Sequence, residues 1–327
     1  MNLPIIHIGL PRAGSTTLQE LFFSKNPSVY HVSGSNKNID TASLELRKKA
    51  KEIMVSLRND SESVFRRKVP VFRNYVDAMF EEAQNLNRRI VFSNESLSLN
   101  GTLKEISRKE IACRLYSIIG KAKILLVLRE PVQWFKSNYL HAITGLYRAG
   151  LIEEAKKLSY GEFFRRISQV PREYVKESSF GIEAINSKGI IQDYGCFFGM
   201  ENIHISVFEE QVKNPKKVYR LLENLLDIKI GEQDYFMDKP PKKTNMTVKE
   251  MNFWISLARI CPDKIWPSNR IRKRYILPLL RKSFYSRRKW PAVPKEIVEK
   301  IKEICSENNK WIEQTYDQAL SEYGYFL

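Results

Sequence analysis

The run from Ile5 to Phe23 limits what this chain can fold into more than any other stretch. Ile5-Ile6-His7-Ile8 is apolar around one histidine and reads as a buried strand. Gly9-Leu10-Pro11-Arg12-Ala13-Gly14 reads as a tight loop, and Ser15-Thr16-Thr17 open a helix. Strand, glycine-bearing loop and helix together point backbone N–H groups and a helix N-terminus at an anion. The two glycines have the spacing of a nucleotide-binding P-loop, but Ser15 stands where that loop's lysine would follow, and the cation, Arg12, lies inside the loop. Triphosphate chemistry loses its main electrostatic handle without the lysine. An earlier cation sits instead beside a single phosphate and whatever leaves from it.

Downstream, short apolar runs alternate with longer helical patterns, the mark of a parallel sheet with helical crossovers. Strands are expected at Ile5–Ile8, Ile90–Phe92, Lys123–Leu128 and His204–Phe208. Helices are expected near 15–25, 41–57, 71–87, 104–119, 131–147, 180–198 and 214–226. The fold class that follows is a P-loop-type three-layer α/β sandwich around a central parallel sheet. Right-handed crossovers bring its strand C-termini to one ligand-binding edge. Residues 1–228 form the α/β nucleotide-binding core of a single domain, and 229–327 a mainly helical C-terminal region.

Lys and Arg number 54 against 37 Asp and Glu, a net charge of +17 that calls for a polyanionic partner. Eleven of those cations fall in Lys264–Lys295, which has no acidic residue. That segment is either a solvated basic face or a surface turned to an anionic acceptor or to a membrane. The cysteines (Cys113, Cys196, Cys261, Cys305) are scattered, and the four histidines form no ligand pattern, so no metal site is expected. His7 and His204 sit in apolar runs and read as core. With no signal-peptide pattern and no membrane-spanning apolar run, a cytoplasmic location is expected, with at most peripheral contact at the membrane's inner face.

A second anion site is expected where Lys123–Leu128 ends in Arg129-Glu130-Pro131. Pro131 suits a first helical position. Arg129 therefore stands at a strand end and Ser137 two turns into the next helix, and a guanidinium fork with a hydroxyl can hold a phosphate. The other reading makes Arg129 an exposed cap. Ile90–Phe92 leads into Ser93-Asn94-Glu95, so Glu95 lies on the same edge and is the candidate general base, or else the cap of a helix beginning near Ser96. His141, one turn after Ser137, is the alternative base. Trp134 lines an adenine pocket or packs as plain core.

Two such sites on consecutive strand ends resemble the sulfotransferase family that uses 3′-phosphoadenosine 5′-phosphosulfate (PAPS). Pro11-Arg12-Ala13-Gly14-Ser15-Thr16-Thr17-Leu18 is similar to its 5′-phosphosulfate loop, and Arg129-Glu130-Pro131 with Ser137-Asn138-Tyr139 to its 3′-phosphate motif. Val207-Phe208-Glu209-Glu210 and the terminal Tyr323-Gly324-Tyr325 also look like bacterial members. The resemblance implies that Arg12, Ala13, Gly14, Ser15, Thr16 and Thr17 bind the 5′-phosphosulfate, that Arg129 and Ser137 bind the 3′-phosphate, and that PAPS is the co-substrate. Many members carry lysine where this chain has Arg12; arginine stabilises a leaving phosphate but does not readily give it a proton. The basic surface and the bacterial resemblance favour a glycan, glycolipid or lipid precursor as acceptor, with no nucleic-acid partner. The rival readings are a small-molecule kinase using ATP and a basic nucleic-acid-binding module.

Overall fold

Five short strands form one parallel sheet: β1 (Ile5–His7), β2 (Val29–Val32), β3 (Arg89–Ser93), β4 (Lys123–Leu128) and β5 (Ile203–Val207), in the order β2-β3-β1-β4-β5. The computed structural model describes residues 3–34, 41–101, 106–149, 151–169, 182–231 and 292–327. Almost every strand residue is buried. Continuous apolar runs rather than alternation are what a sheet covered on both faces requires.

Four of these strands coincide with the expected runs. The fifth, β2, is an addition. Val29-Tyr30-His31-Val32 is four residues long and carries a histidine, so nothing in its own pattern separates it from the loop before it. Its pairing with β3, Val29 opposite Arg89 through Val32 opposite Phe92, makes it a strand. The described part of 31–87 supplies the end of β2 and a helix pair.

The described helices are α1 (Ser15–Thr17), continued as a π-helix over Leu18–Phe23, then α2 (Leu44–Asn59), α3 (Glu62–Asn85), α4 (Arg108–Ile119), α5 (Pro131–Ala149), α6 (Ile152–Lys157), α7 (Tyr160–Gln169), α8 (Ser187–Phe198), α9 (Phe208–Lys213), α10 (Pro215–Leu226) and α11 (Lys295–Tyr316). α3 begins nine residues before the expected 71, because it runs through Pro70. Pro70 is exposed, where water can reach the carbonyl that its missing N–H leaves unbonded. α2 and α3 bury Leu46, Ile53, Leu57, Phe65, Phe72 and Met79. No helix among the described residues is long and apolar enough to cross a membrane.

The chain divides into two compact units. The first, Met1–Pro131, Val170–Pro241 and Ile304–Leu327, holds the whole sheet. The second, Val132–Gln169 and Lys242–Glu303, holds nearly all of α5 with α6 and α7. Its described core is aromatic: Phe135 meets Phe163 at 5.4 Å between ring centres, and Tyr139 meets Tyr160 at 4.1 Å. The basic segment Lys264–Lys295 lies outside the described residues except for its last four.

Strand order decides where a ligand can sit. The connection from β1 passes β3 to reach β2, whereas the connection from β3 passes β1 in the opposite direction to reach β4. With right-handed crossovers, the helix after β1 and the helices α2, α3, α4 and α8 leave on opposite faces of the sheet. The chain therefore parts between β1 and β4, and the crevice beyond their C-terminal ends is the standard ligand position of an open α/β sheet.

Candidate functional site

The β1 loop enters that crevice. Leu10 N–H donates to Val127 C=O at 3.0 Å, which extends the β1–β4 ladder past the strand, and Ala13 N–H closes a turn onto Leu10 C=O at 3.1 Å. The chain then needs two left-handed residues, Arg12 (φ 68°) and Gly14 (φ 85°). Gly14 is suited to this, and a Cβ there would meet Phe208 at 2.6 Å. Arg12 is not, and a non-glycine residue in this region carries on the order of 1 kcal/mol of strain.

Gly9 is required for a different reason. A Cβ on it would collide with Ser15 Oγ and lie 2.8 Å from His7 Nε2. Past the loop, Thr17 N–H donates to Gly14 C=O at 2.8 Å, while the N–H groups of Gly14, Ser15 and Thr16 carry no hydrogen bond among the described residues. Three consecutive open donors at a helix start form an anion-binding nest. Of the residues expected to bind the phosphosulfate, Gly14, Ser15 and Thr16 keep their backbone donors open. Ala13 and Thr17 use theirs within the loop.

Beneath the loop lies a buried polar chain that no local pattern in the sequence marks. His7 Nδ1 is 2.7 Å from Ser93 Oγ, and Gln19 Nε2 donates to the same hydroxyl at 3.0 Å. His7 is wholly buried, and its Nε2 has no hydrogen-bond partner among the described residues. Burial, reinforced by nearby His31, lowers its pKa to about 3, so the imidazole is neutral. The expectation that His7 is a core residue holds, with a role in seating the loop added.

Glu95 stands on the third strand end. The helix cap here is Asn94, whose Oδ1 accepts from Ser96 N–H at 2.9 Å and from Ser96 Oγ at 2.6 Å. Glu95 opens the 3₁₀ turn Glu95–Ser98. Its Oε1 lies 3.5 Å from the Thr16 hydroxyl, at the mouth of the nest. Ser98 Oγ donates to Glu95 C=O at 2.8 Å and ties this turn down.

Arg129 lies at the end of β4, largely buried rather than an exposed cap. Its Nη1 donates to Arg12 C=O at 2.5 Å, which braces the strained loop residue. The guanidinium stacks over Phe208 at 4.7 Å, and its Nε–H is buried with no partner among the described residues. Burial depresses its pKa; Glu209 opposes that depression and the Arg12 charge adds to it. The group stays charged in any case. Glu209 accepts from Glu130 N–H at 3.2 Å and from Tyr325 Oη at 3.3 Å. Glu210 accepts from Tyr323 Oη at 3.1 Å and pairs with Lys217 at 2.7 Å. Two stretches quoted in the sequence resemblance without a role, Glu209-Glu210 and Tyr323-Gly324-Tyr325, are thus hydrogen-bonded to each other.

Ser137 and His141 stand one turn apart on α5 in the second unit. Ser137 is buried (5% exposed), His141 exposed, and Trp134 wholly buried. Their part in any site rests on the sequence pattern alone.

No protein-family profile and no curated protein matches this chain. Among solved structures, a sulfotransferase from Alicyclobacillus acidocaldarius aligns at 17% identity and a TM-score of 0.44, covering 80% of this chain and 92% of that one. The sulfotransferase domain from the curacin biosynthetic pathway aligns at 14% identity and a TM-score of 0.37, covering 74% and 80%. The sulfotransferase domain from the Synechococcus PCC 7002 olefin synthase aligns at 14% and 0.39, covering 78% and 89%.

Proposed function

We propose that this protein transfers a sulfuryl group from PAPS to a hydroxyl or amine of an acceptor. One observation carries the reading. The open N–H groups of Gly14, Ser15 and Thr16 follow Arg12 in a loop whose Arg12 carbonyl is held by Arg129, and the Glu95 carboxylate lies 3.5 Å from the Thr16 hydroxyl. The nest suits the 5′-phosphosulfate. Arg129, with unused donors, suits the 3′-phosphate. Lacking the P-loop lysine, the loop has no cation placed for a γ-phosphate.

The chemistry follows from those positions. Glu95 takes the proton from the acceptor as its oxygen or nitrogen bonds to sulfur. The bond between sulfur and the bridging 5′-phosphate oxygen breaks in line, and adenosine 3′,5′-bisphosphate leaves. Arg12 and the nest N–H groups stabilise the charge that grows on that oxygen. Their geometry is fixed beforehand by the αL turn and the Arg129 brace, and preorganised donors of this kind supply most of the acceleration in group transfer. The sequence-level preference for a glycan, glycolipid or lipid precursor belongs to this proposal as its acceptor class.

Two measurements test it. Adenosine 3′,5′-bisphosphate should raise the melting temperature more than ATP with Mg²⁺; the opposite order favours a kinase. Glu95→Gln keeps the side chain's shape but cannot take a proton. It should leave bisphosphate binding intact and cut kcat by about 10²–10⁴-fold with labelled PAPS. A variant with normal kcat moves the base role to His141.

A further inference from the structure

The last residues of the chain are fastened onto the site's edge rather than left loose. Gly324 takes φ 86°, Tyr325 N–H donates to Leu320 C=O at 3.3 Å, and Asn309 Nδ2 donates to Phe326 C=O at 2.9 Å. The Lys213 ammonium donates to Glu322 C=O at 3.2 Å and lies over the Tyr323 ring at 5.2 Å. These contacts deliver one buried hydroxyl, Tyr325 Oη, to Glu209 Oε2 at 3.3 Å.

Phe208 packs on the Arg129 guanidinium, and its neighbour Glu209 holds the backbone of the next residue. Phe208 carries the guanidinium on its ring at 4.7 Å. The other oxygen of Glu209 takes the N–H of Glu130, the residue after Arg129, at 3.2 Å, and its charge acts on the guanidinium. Arg129 in turn holds Arg12 C=O in the β1 loop. Tyr325 is therefore linked through Glu209 to the N–H one residue past Arg129, and Arg129 to the loop. A half-buried carboxylate whose two oxygens each accept from one specific donor has a preferred orientation; losing one donor frees it to rotate.

We propose that Tyr325 is a positioning residue: through Glu209 it sets the orientation of Arg129, and with it the affinity for the 3′-phosphate of the nucleotide. This rests on the assignment of Arg129 to the 3′-phosphate. The tail thus acts on nucleotide discrimination without touching nucleotide.

The test compares Tyr325→Phe with wild type by calorimetry, using adenosine 3′,5′-bisphosphate and adenosine 5′-monophosphate. Tyr325→Phe should weaken bisphosphate binding by about tenfold and leave monophosphate binding within about twofold, as expected for one hydrogen bond to a charged group. In an Arg129→Ala background, the same substitution should have no further effect on either nucleotide. Equal loss for both nucleotides, no loss for either, or an undiminished loss in the Arg129→Ala background would each overturn the positioning role. The nucleotide-free protein gives a second reading. The Arg129 Nε–H resonance, identified by its absence in Arg129→Lys, should shift or broaden in Tyr325→Phe, and an unchanged resonance overturns the proposal. If wild type did not prefer bisphosphate to monophosphate, the 3′-phosphate assignment would fail, while the resonance would still decide whether Tyr325 orients Arg129.

Discussion

The ends of β1 and β4 lie side by side in the sheet and are built in opposite ways. The β1 loop takes its shape mainly from its own residues, though β4 ties it down: Gly9 and Gly14 admit the turn, Ala13 and Thr17 close it, and the open donors belong to three consecutive positions. The β4 end presents Arg129, and among the described residues its contacts come from far along the chain: Arg12 C=O and Phe208, with Glu209 on the next residue's N–H and, behind it, Tyr325. A local anion nest needs only backbone geometry, which glycines can encode within a few residues. A single long arginine needs packing and counter-charge, and no local sequence supplies those. The difference predicts that damage at the two ends will look different.

The largest effect is expected at the locally built end. Arg12→Ala should lower kcat by about 10²–10³-fold, the usual cost of removing one donor from a preorganised charge-stabilising site. Arg12→Lys should retain much of the activity. The melting temperature should hardly move in either, because Arg12 supplies charge and not core. A large fall in melting temperature with Arg12→Ala would break the comparison by showing that the Arg129 brace depends on more than Arg12's backbone.

At the assembled end the effect should fall on binding. Arg129→Ala is expected to weaken adenosine 3′,5′-bisphosphate by about 50- to 100-fold, since charge-assisted hydrogen bonds are lost. Adenosine 5′-phosphosulfate, without the 3′-phosphate, should lose far less. Equal losses measured by calorimetry would mean that Arg129 serves the β1 loop alone, and the two ends would then form one unit.

The smallest effect concerns the buried support of the β1 end and is read through pH. His7 has a folded pKa of about 3 against an ordinary 6.5. A depressed histidine contributes stability that is fully present above its unfolded pKa and is lost as pH falls toward the folded one. Between about pH 7 and pH 5 that loss is about 2 kcal/mol. Denaturant unfolding at the two pH values should show it in wild type and show less of it in His7→Asn. Identical losses in both would remove His7 from the support of the loop.

The sequence determined the β1 loop, the apolar strands on either side of the crevice and the presence of Arg129 and Glu95 at strand ends. Each depends on neighbours in the chain: glycines at a turn, apolar runs in strands buried on both faces, a proline opening α5. Tertiary structure alone decided that Val29–Val32 is a strand, because its partner β3 makes it one. It also decided that Asn94 rather than Glu95 caps the turn after β3, a matter of which side chain reaches the Ser96 N–H. The buried His7–Ser93–Gln19 chain and the fastening of Tyr325 to Glu209 belong to the same class. Hydrogen bonds between residues 74 to 116 positions apart form only once the sheet has aligned them, so no local pattern in the chain carries them.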